Sequence, residues 1–543
     1  MHGLMMDYPL TLSALLRHTE RSYARQEIVS RRSDRLLFRY NYGECLQRAR
    51  RLSAGLRKLG VKRGDRVATF CWNHTRHLEA YYGVPSGGFV LHTLNIRLHC
   101  DELAYIASHA GDRVCIVDKV LWPAFEKFAP KAGFEHVIVV SDDGTVPDGT
   151  TDFDALIASA DAEPFPELDE RDAAAMCYTS GTTGKPKGVL YSHRALTLHT
   201  LACVAPDLFN VSSRDAVLPV VPMFHANAWG LPFVMALSGA KQILPGQFLD
   251  AASIVELLES ERVTLTAGVP TIWLGILNYL DANPGKHDLS SVRTMLVGGS
   301  AVPEAVIRAF QDRHGLRIVQ AWGMTETSPL GSMVSLRPDL HTLTSDERFA
   351  YGATQGMAAP FVEIRGRNEE GLIPWDNATM GELEVRGPWV AASYYKADAD
   401  GNSRFTDDGW FRTGDVVTIA TGGHITIQDR SKDLVKSGGE WISSVQLESA
   451  LMGHPEVAEA AVVAVAHPKW VERPLAVIVP KAGCAPNTEC LREFLAPNFP
   501  KWWLPDAFVL ADSLPRTATG KLKKTELRAI YKDVYVEEPA LTS

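Results

Sequence analysis

Met176-Cys-Tyr-Thr-Ser-Gly-Thr-Thr-Gly-Lys-Pro-Lys-Gly-Val189 begins as an apolar run and turns after Tyr178 into hydroxyls, glycines and lysines. The apolar part reads as a buried strand. Thr179, Ser180, Thr182 and Thr183 offer hydroxyls, and Gly181, Gly184 and Gly188 let the backbone bend and expose its N–H groups. Lys185 and Lys187 add positive charge. Together these are the parts of a cradle for a polyphosphate. An ordinary P-loop is excluded: Gly184-Lys185 is followed by Pro186, and Thr179 stands where the first glycine is needed.

Around this stretch the chain is of ordinary globular composition. Its 543 residues leave room for three or four compact units, and 46% are hydrophobic against 22% charged. A net charge of −9 with no basic block speaks against a nucleic-acid partner. The eight cysteines are scattered without a CxxC pair, which predicts reduced thiols and neither a zinc site nor a disulfide framework. The start, MHGLMMDYPLTLSALLRH, lacks the basic-then-apolar order of a signal peptide. No uninterrupted apolar run is long enough for a membrane span, and the expected location is the cytoplasm.

The wider pattern predicts an α/β fold. From residue 9 to 60 the order reads helix, strand, helix, with Leu12, Leu15 and Leu16 on one apolar face and Ala49, Leu52, Leu56 and Leu59 on the next. Strands and helices then alternate to residue 140 and again from 193 to 320, including a helix near 228–238. This predicts two α/β subdomains with parallel-rich sheets. Residues 141–171, rich in Asp, Gly and Pro, read as an exposed connector. Short β-like runs at 361–365, 381–386 and 414–428 predict a small barrel or distorted sheet. The charged Ser431-Lys-Asp433 marks a hinge, so that 1–429 form an N-terminal domain, 430–433 the hinge, and 434–543 a small mobile α+β domain.

Two further stretches follow apolar strands: Val297-Gly-Gly-Ser-Ala-Val-Pro303 and Gln320-Ala-Trp-Gly-Met-Thr-Glu-Thr327. Loops beyond the carboxyl ends of parallel strands are where open α/β sheets hold ligands. Trp322 offers a flat face for an adenine ring, and Glu326, beside hydroxyls, suits Mg²⁺.

These stretches, with Thr413-Gly-Asp415, Asp429-Arg430 and Gly520-Lys521, stand in the order found in adenylate-forming enzymes, which include acyl-CoA synthetases, luciferases and adenylation domains. The chain resembles that family over essentially its whole length. The resemblance implies that Thr179, Ser180, Gly181, Thr182, Thr183, Gly184, Lys185 and Lys187 hold the β- and γ-phosphates of ATP, with Thr179 and Glu326 on Mg²⁺. It places Ser300, Gln320, Ala321 and Trp322 around adenine and Thr325 near the α-phosphate. Asp415 takes the ribose hydroxyls, with Arg430 beside it. Lys521, in Pro515-Arg-Thr-Ala-Thr-Gly-Lys521, matches the family's catalytic lysine, and Lys432 matches its pivot. Gly438, Gly439 and Glu440 would pass the pantetheine arm of CoA, and Lys436 and Trp441 would also touch the adenylate.

The implied reaction has two halves. A carboxylate attacks the α-phosphorus of ATP, and CoA then displaces AMP from the acyl-AMP. His225, Ala226 and Trp229 resemble the acyl site of fatty acyl-CoA ligases: His225 lies between acyl and AMP sites, replacing the acidic residue expected for an amino acid substrate, and Trp229 gates the tunnel. Where relatives commonly have Gly and Tyr, this chain has Ala321 and Trp322, which add bulk and favour a medium-chain acid. A short thioether acid such as methylmercaptopropionate remains the second reading. An enzyme that stops at the acyl-AMP, or passes it to another acceptor, is the third. Relatives of this type are often dimers.

Overall fold

The computed structural model describes residues 1, 3–179, 185–335, 341–397, 399–437, 440–516 and 522–535. Ser180 to Gly184, Gly438, Gly439 and Lys521 lie outside the described residues, as do the side chains of Ala399, Asp400 and Glu440.

Two large sheets form the body. One runs in the order Met357–Ala358, Leu330–Met333, Ile318–Gly323, Thr294–Val297, Leu265–Gly268, Ala216–Pro219, Lys241–Leu244, Glu27–Arg31, Leu37–Asn41. It is parallel from Ile318–Gly323 to Glu27–Arg31 and antiparallel at both ends. The other runs Thr151–Asp152, His136–Val140, Asp112–Asp118, Arg66–Phe70, Val90–Thr93, Ala173–Tyr178, Gly188–Ser192. Its last pair alone is antiparallel. Both sheets share one continuous apolar core. The helix Thr75–Ser86 joins them: it touches strands of both sheets and buries nearly every side chain. Its glycine at 83 lets the backbone of Ala49 approach so closely that a Cβ there would lie 2.4 Å from the Ala49 carbonyl oxygen.

Three details differ from the sequence expectation. Between the first two helices, Leu12–Tyr23 and Tyr42–Lys58, the chain makes a hairpin, not one strand. The supposed connector 141–171 contains the strand Thr151–Asp152 and the helix Phe153–Ala158, which bury Phe153, Leu156 and Ile157. Asp152 caps that helix through its own side chain, so an acidic residue that reads as loop is here a helix start. The helix expected at 228–238 begins only at Leu231, after a turn described below.

The third sheet is antiparallel, in the order Gly371–Leu372, Glu363–Asn368, Gly381–Arg386, Phe411–Ile419, Ile425–Arg430. Register breaks at Glu382/Glu384 and Val416/Val417 distort it. The run read as 414–428 is thus two strands of a hairpin. A tight turn, with the N–H groups of Asp433 and Leu434 on the Arg430 carbonyl, then leads to a smaller unit. That unit has a sheet of Glu440–Ile442, Val435–Ser437, Val471–Pro480 and Val457–His467, with Ala507–Leu510 alongside. The helices Ser444–Leu451, Thr488–Leu495 and Lys524–Ile530 accompany it, and its cores are its own.

Candidate active site

The loop at 179–187 joins two antiparallel strands, with Tyr178 paired to Gly188 at its base. It therefore leads into the strand Gly188–Ser192 and not into a helix. Its stem is tied by Thr179 N–H to the Lys187 carbonyl at 2.9 Å and by Lys187 N–H to the Thr179 hydroxyl at 3.2 Å. Lys185 lies over the Tyr105 ring and Lys187 over the Tyr394 ring.

This loop opens on a cavity of about 1200 Å³. Thr179, Lys185, Lys187, Glu326, Asp415 and Arg430 all stand on its wall. So do Ser300, Gln320, Ala321, Trp322, Thr325 and Lys432, as well as His225, Ala226 and Trp229. The sequence-predicted residues thus converge from three sheets. From the smaller unit the wall is completed by Arg516, Leu522 and Lys524, which flank the undescribed segment that contains Lys521. Lys436 and Trp441 are not on this wall. They pair with each other across the hairpin of the small unit, with the Lys436 ammonium 4.3 Å from the Trp441 ring centre.

Individual side chains have more specific posts than the sequence implied. Asp415 is buried; it accepts a hydrogen bond from Trp322 Nε1 at 2.8 Å and forms an ion pair with Arg430, whose Nε lies 2.6 Å away. Its charge raises the Arg430 guanidinium above its ordinary value. Trp322, expected as a flat face for adenine, stands on the cavity wall and is held by its N–H, and its ring lies over Gly331, where a Cβ would come within 2.3 Å of it. Gln320 accepts the Val302 N–H at 2.9 Å and donates to the Gly352 carbonyl at 3.2 Å. Its amide thus braces the Gly298–Pro303 loop. Ser300 is exposed at the cavity.

Glu326 is buried, and Tyr394 donates its hydroxyl proton to Glu326 Oε1 at 2.5 Å. The neighbouring Thr325 carbonyl accepts from the Tyr191 hydroxyl at 2.7 Å. A buried carboxylate with the Thr179 hydroxyl on the same wall is a hard-oxygen donor set, and it fits Mg²⁺ with phosphate oxygens. Sequence reasoning missed Tyr394, which lies 68 positions from Glu326 in a Gly-rich β region without a motif.

The residues expected at an acyl site rest on an unusual turn. Ala226, Asn227, Ala228 and Trp229 have φ of 42°, 53°, 48° and 58°, and Gly230 follows at 76°. Left-handed backbone costs about 1–2 kcal/mol per residue for L-amino acids. Gly230 is required, since a Cβ there would lie 2.7 Å from the buried His199 ring. Burial pushes the His199 imidazole down to about 3, so it stays neutral and accepts the Leu330 N–H. The turn lays the Trp229 indole against Gly298, where a Cβ would be 3.0 Å from the ring and 3.1 Å from the Ala321 carbonyl. Trp229, Gly298 and Ala321 therefore form one tight wall. Trp229→Ala is expected to shift acid preference toward longer chains, read as kcat/KM across a chain-length series; an unchanged profile would mean that Trp229 does not bound the acyl site.

A second cluster of chemistry-bearing side chains, Cys71, His74 and Asp118, comes together away from this cavity. It is not suited to a metal. His74 Nδ1 accepts the His77 N–H at 3.2 Å, so Nε2 carries the proton and gives it to Asp118 at 2.6 Å. Binding a metal through Nε2 would need that proton removed while Nδ1 still faces a donor. All eight cysteines are free thiols, and five are buried.

Known proteins agree with this geometry. The AMP-binding enzyme family matches residues 17–395, and the AMP-binding enzyme C-terminal domain matches 446–521. A long-chain-fatty-acid–CoA ligase of Thermus thermophilus is 48% identical over 98% of this chain and 97% of its own. A 3-methylmercaptopropionyl-CoA ligase of Ruegeria lacuscaerulensis is 43% identical over 98% and 99%, and a medium-chain-fatty-acid–CoA ligase of Ectopseudomonas oleovorans 41% over 98% and 98%. The crystal structure of ATP-bound MatB from Rhodopseudomonas palustris superposes with a TM-score of 0.83 at 26% identity, covering 97% of this chain and 100% of that one. These matches run over nearly the whole length, and this chain belongs to the AMP-binding enzyme family.

Proposed function

We propose that the chain is an AMP-forming acyl-CoA ligase that converts a medium-chain fatty acid, ATP and CoA into acyl-CoA, AMP and pyrophosphate. The observation that carries this reading is the single cavity on which phosphate-loop lysines, Glu326, Asp415 and an apolar wall around Trp229 converge. In the first half, the acid lies against Trp229 and Gly298 with its carboxylate near His225. Lys187 and the hydroxyls of the loop hold the phosphates, while Asp415 and Arg430 fix the ribose. Thr179 and Glu326 would hold Mg²⁺, which when bound neutralises phosphate charge. The chemistry asks the protein for alignment and charge neutralisation, not for a covalent intermediate.

Lys521 is the mobile cation of this half-reaction. The family roles of residues 1–429 and 434–543 make the turn at 430–433 a hinge about Lys432. In the second pose Lys521 withdraws, and Lys436, Gly438, Gly439, Glu440 and Trp441 guide the CoA thiol toward the acyl carbon. Arg516 stands on the cavity wall and Lys436 does not, which supports two such poses.

The medium-chain preference is supported by the bulk of Ala321 and by the 41%-identical medium-chain ligase. The 43%-identical 3-methylmercaptopropionyl-CoA ligase supports a short thioether acid as the second reading. Pyrophosphate release over straight-chain, branched, aromatic and thioether acids, with and without CoA, decides between them. A best kcat/KM on octanoate to decanoate is expected; a best value on a thioether acid or on palmitate overturns the chain-length assignment. No helix among the described residues is long and apolar enough to cross a membrane. The reading includes a cytoplasmic homodimer. The exposed side chains of Leu4, Met5, Met6 and Tyr8 support a second copy as their cover, which sedimentation velocity tests.

A further inference from the structure

We infer that Lys524, with Ser444, Glu448 and Asp429, forms a latch that holds the small domain in the acyl-AMP-forming pose, making Lys524 a positioning residue for the first half-reaction. The inference rests on the two-pose reading above, and it adds residues to which that reading gives no role.

Lys524 is the first residue of the helix Lys524–Ile530, three positions beyond Lys521, and it is only 9% exposed. A lysine is almost never buried so deeply unless it is paired. Its ammonium donates to Ser444 Oγ at 2.5 Å and to Glu448 Oε1 at 2.7 Å. Glu448 is buried too, and the same oxygen accepts the Val462 N–H at 2.7 Å. These partners all belong to the small domain, so the pair is built into it.

Ser444 carries the contact across the hinge. Its N–H donates to Asp429 Oδ2 at 3.0 Å, and its hydroxyl donates to the same carboxylate. Asp429 is buried and sits on Ile425–Arg430, the large domain's last strand before the hinge. It thus stands at the N-terminus of the helix Ser444–Leu451, where a negative charge is favoured. The ammonium, the hydroxyl and the carboxylate form a chain that spans the domain boundary. Flanking contacts cross at the same place. Ser443 Oγ donates to the Gln428 carbonyl and Gln446 Nε2 to Gln428 Oε1, both at 2.5 Å.

A rotation about 430–433 that turns the Arg516–Lys524 side away from the cavity must part Ser444 from Asp429. It leaves Lys524 on Glu448. The crossing bonds therefore count toward one pose only. Burying two carboxylates around one ammonium makes the geometry demanding, since a buried charge left without its partner is costly. Lys524 lies three residues beyond Lys521 in the sequence, so fixing Lys524 fixes the described end of the chain that leads to Lys521.

The test uses the full-length chain and two assays: pyrophosphate release from ATP and octanoate without CoA, and octanoyl-CoA formation from supplied octanoyl-AMP and CoA. Lys524→Met is expected to slow the first at least about tenfold while the second stays within about twofold. Ser444→Ala leaves the Lys524–Glu448 pair intact. It should slow the first half-reaction in the same direction with an unchanged melting temperature, which separates the latch from loss of folding. Lys524→Arg, which keeps the charge, should recover part of the rate. Parallel loss of both half-reactions, or an undisturbed first half-reaction in both Lys524→Met and Ser444→Ala, overturns the proposal. If the unsubstituted chain gives neither pyrophosphate nor thioester with any acid, the functional reading itself has failed, an outcome distinct from an intact enzyme whose latch variants behave like wild type.

Discussion

Replacing Lys521 with alanine should lower acyl-AMP formation by about a hundred- to a thousandfold while sparing thioester formation from supplied acyl-AMP. The magnitude is that of losing one preorganised charge donor at a centre where negative charge develops. As the acid oxygen approaches the α-phosphorus, charge grows on the phosphoryl oxygens and on the departing pyrophosphate. The lysines of the loop, Lys185 and Lys187, stand on the cavity wall and in this reading are taken up by the β- and γ-phosphates. Arg430 is committed to Asp415 at 2.6 Å. The small domain brings further cations: its Arg516 and Lys524 already stand on the cavity wall on either side of the Lys521 segment. A compact ammonium on a flexible stem suits a group that enters for one step and leaves for the next. The second half-reaction expels AMP and no pyrophosphate, and in this reading Lys521 is withdrawn while it happens, so it should tolerate the loss. Separate assays of the two half-reactions check this, and an equal fall in both would remove Lys521 from the role.

The second large effect is expected at Asp415. Asp415→Ala should reduce kcat/KM for ATP roughly a hundredfold or more. Each hydrogen bond to a charged group contributes about 1.5–3 kcal/mol, each 1.4 kcal/mol is a factor of about ten, and the ribose offers two hydroxyls. The loss also strands the Trp322 N–H and the Arg430 guanidinium, both of which now converge on that carboxylate. Trp322→Phe is the informative companion. It keeps an aromatic ring over Gly331 but removes the donor that orients Asp415. A smaller rise in the KM for ATP, about tenfold, is expected from losing one such bond. If Trp322→Phe leaves that KM unchanged while Asp415→Ala raises it, the indole is only packing. If neither moves it, the ribose is bound elsewhere.

Much of this site could be read from the chain because its chemistry is local. The hydroxyls, glycines and lysines of 179–187 occur within one loop, and Glu326 follows directly on the Ile318–Gly323 strand. What could not be read is pairing over distance. Trp322 and Asp415 are 93 positions apart, Glu326 and Tyr394 are 68 apart, and Lys524 and Ser444 are 80 apart. Periodicity carries no information about such partners. Residue type also misled in two places. Asp, Gly and Pro around 141–171 hid a capped helix with Phe153 in the core. Ala226 to Trp229, ordinary residues for a helix, instead take left-handed backbone, and Gly230 alone hints at it. The phosphate loop is a hairpin because its strand pairs antiparallel with Gly188–Ser192, a choice fixed by the tertiary neighbours and not by the loop's own composition.

The account stands or falls on which phosphorus the acid attacks. The direct measurement is turnover with acid labelled with ¹⁸O in the carboxylate, in the presence of ATP and CoA, followed by mass analysis of the products. Attack at the α-phosphorus, as this cavity is arranged for, transfers one label to AMP and leaves pyrophosphate unlabelled. Label appearing in orthophosphate with ADP as the nucleotide product would place the attack at the γ-phosphorus and contradict it.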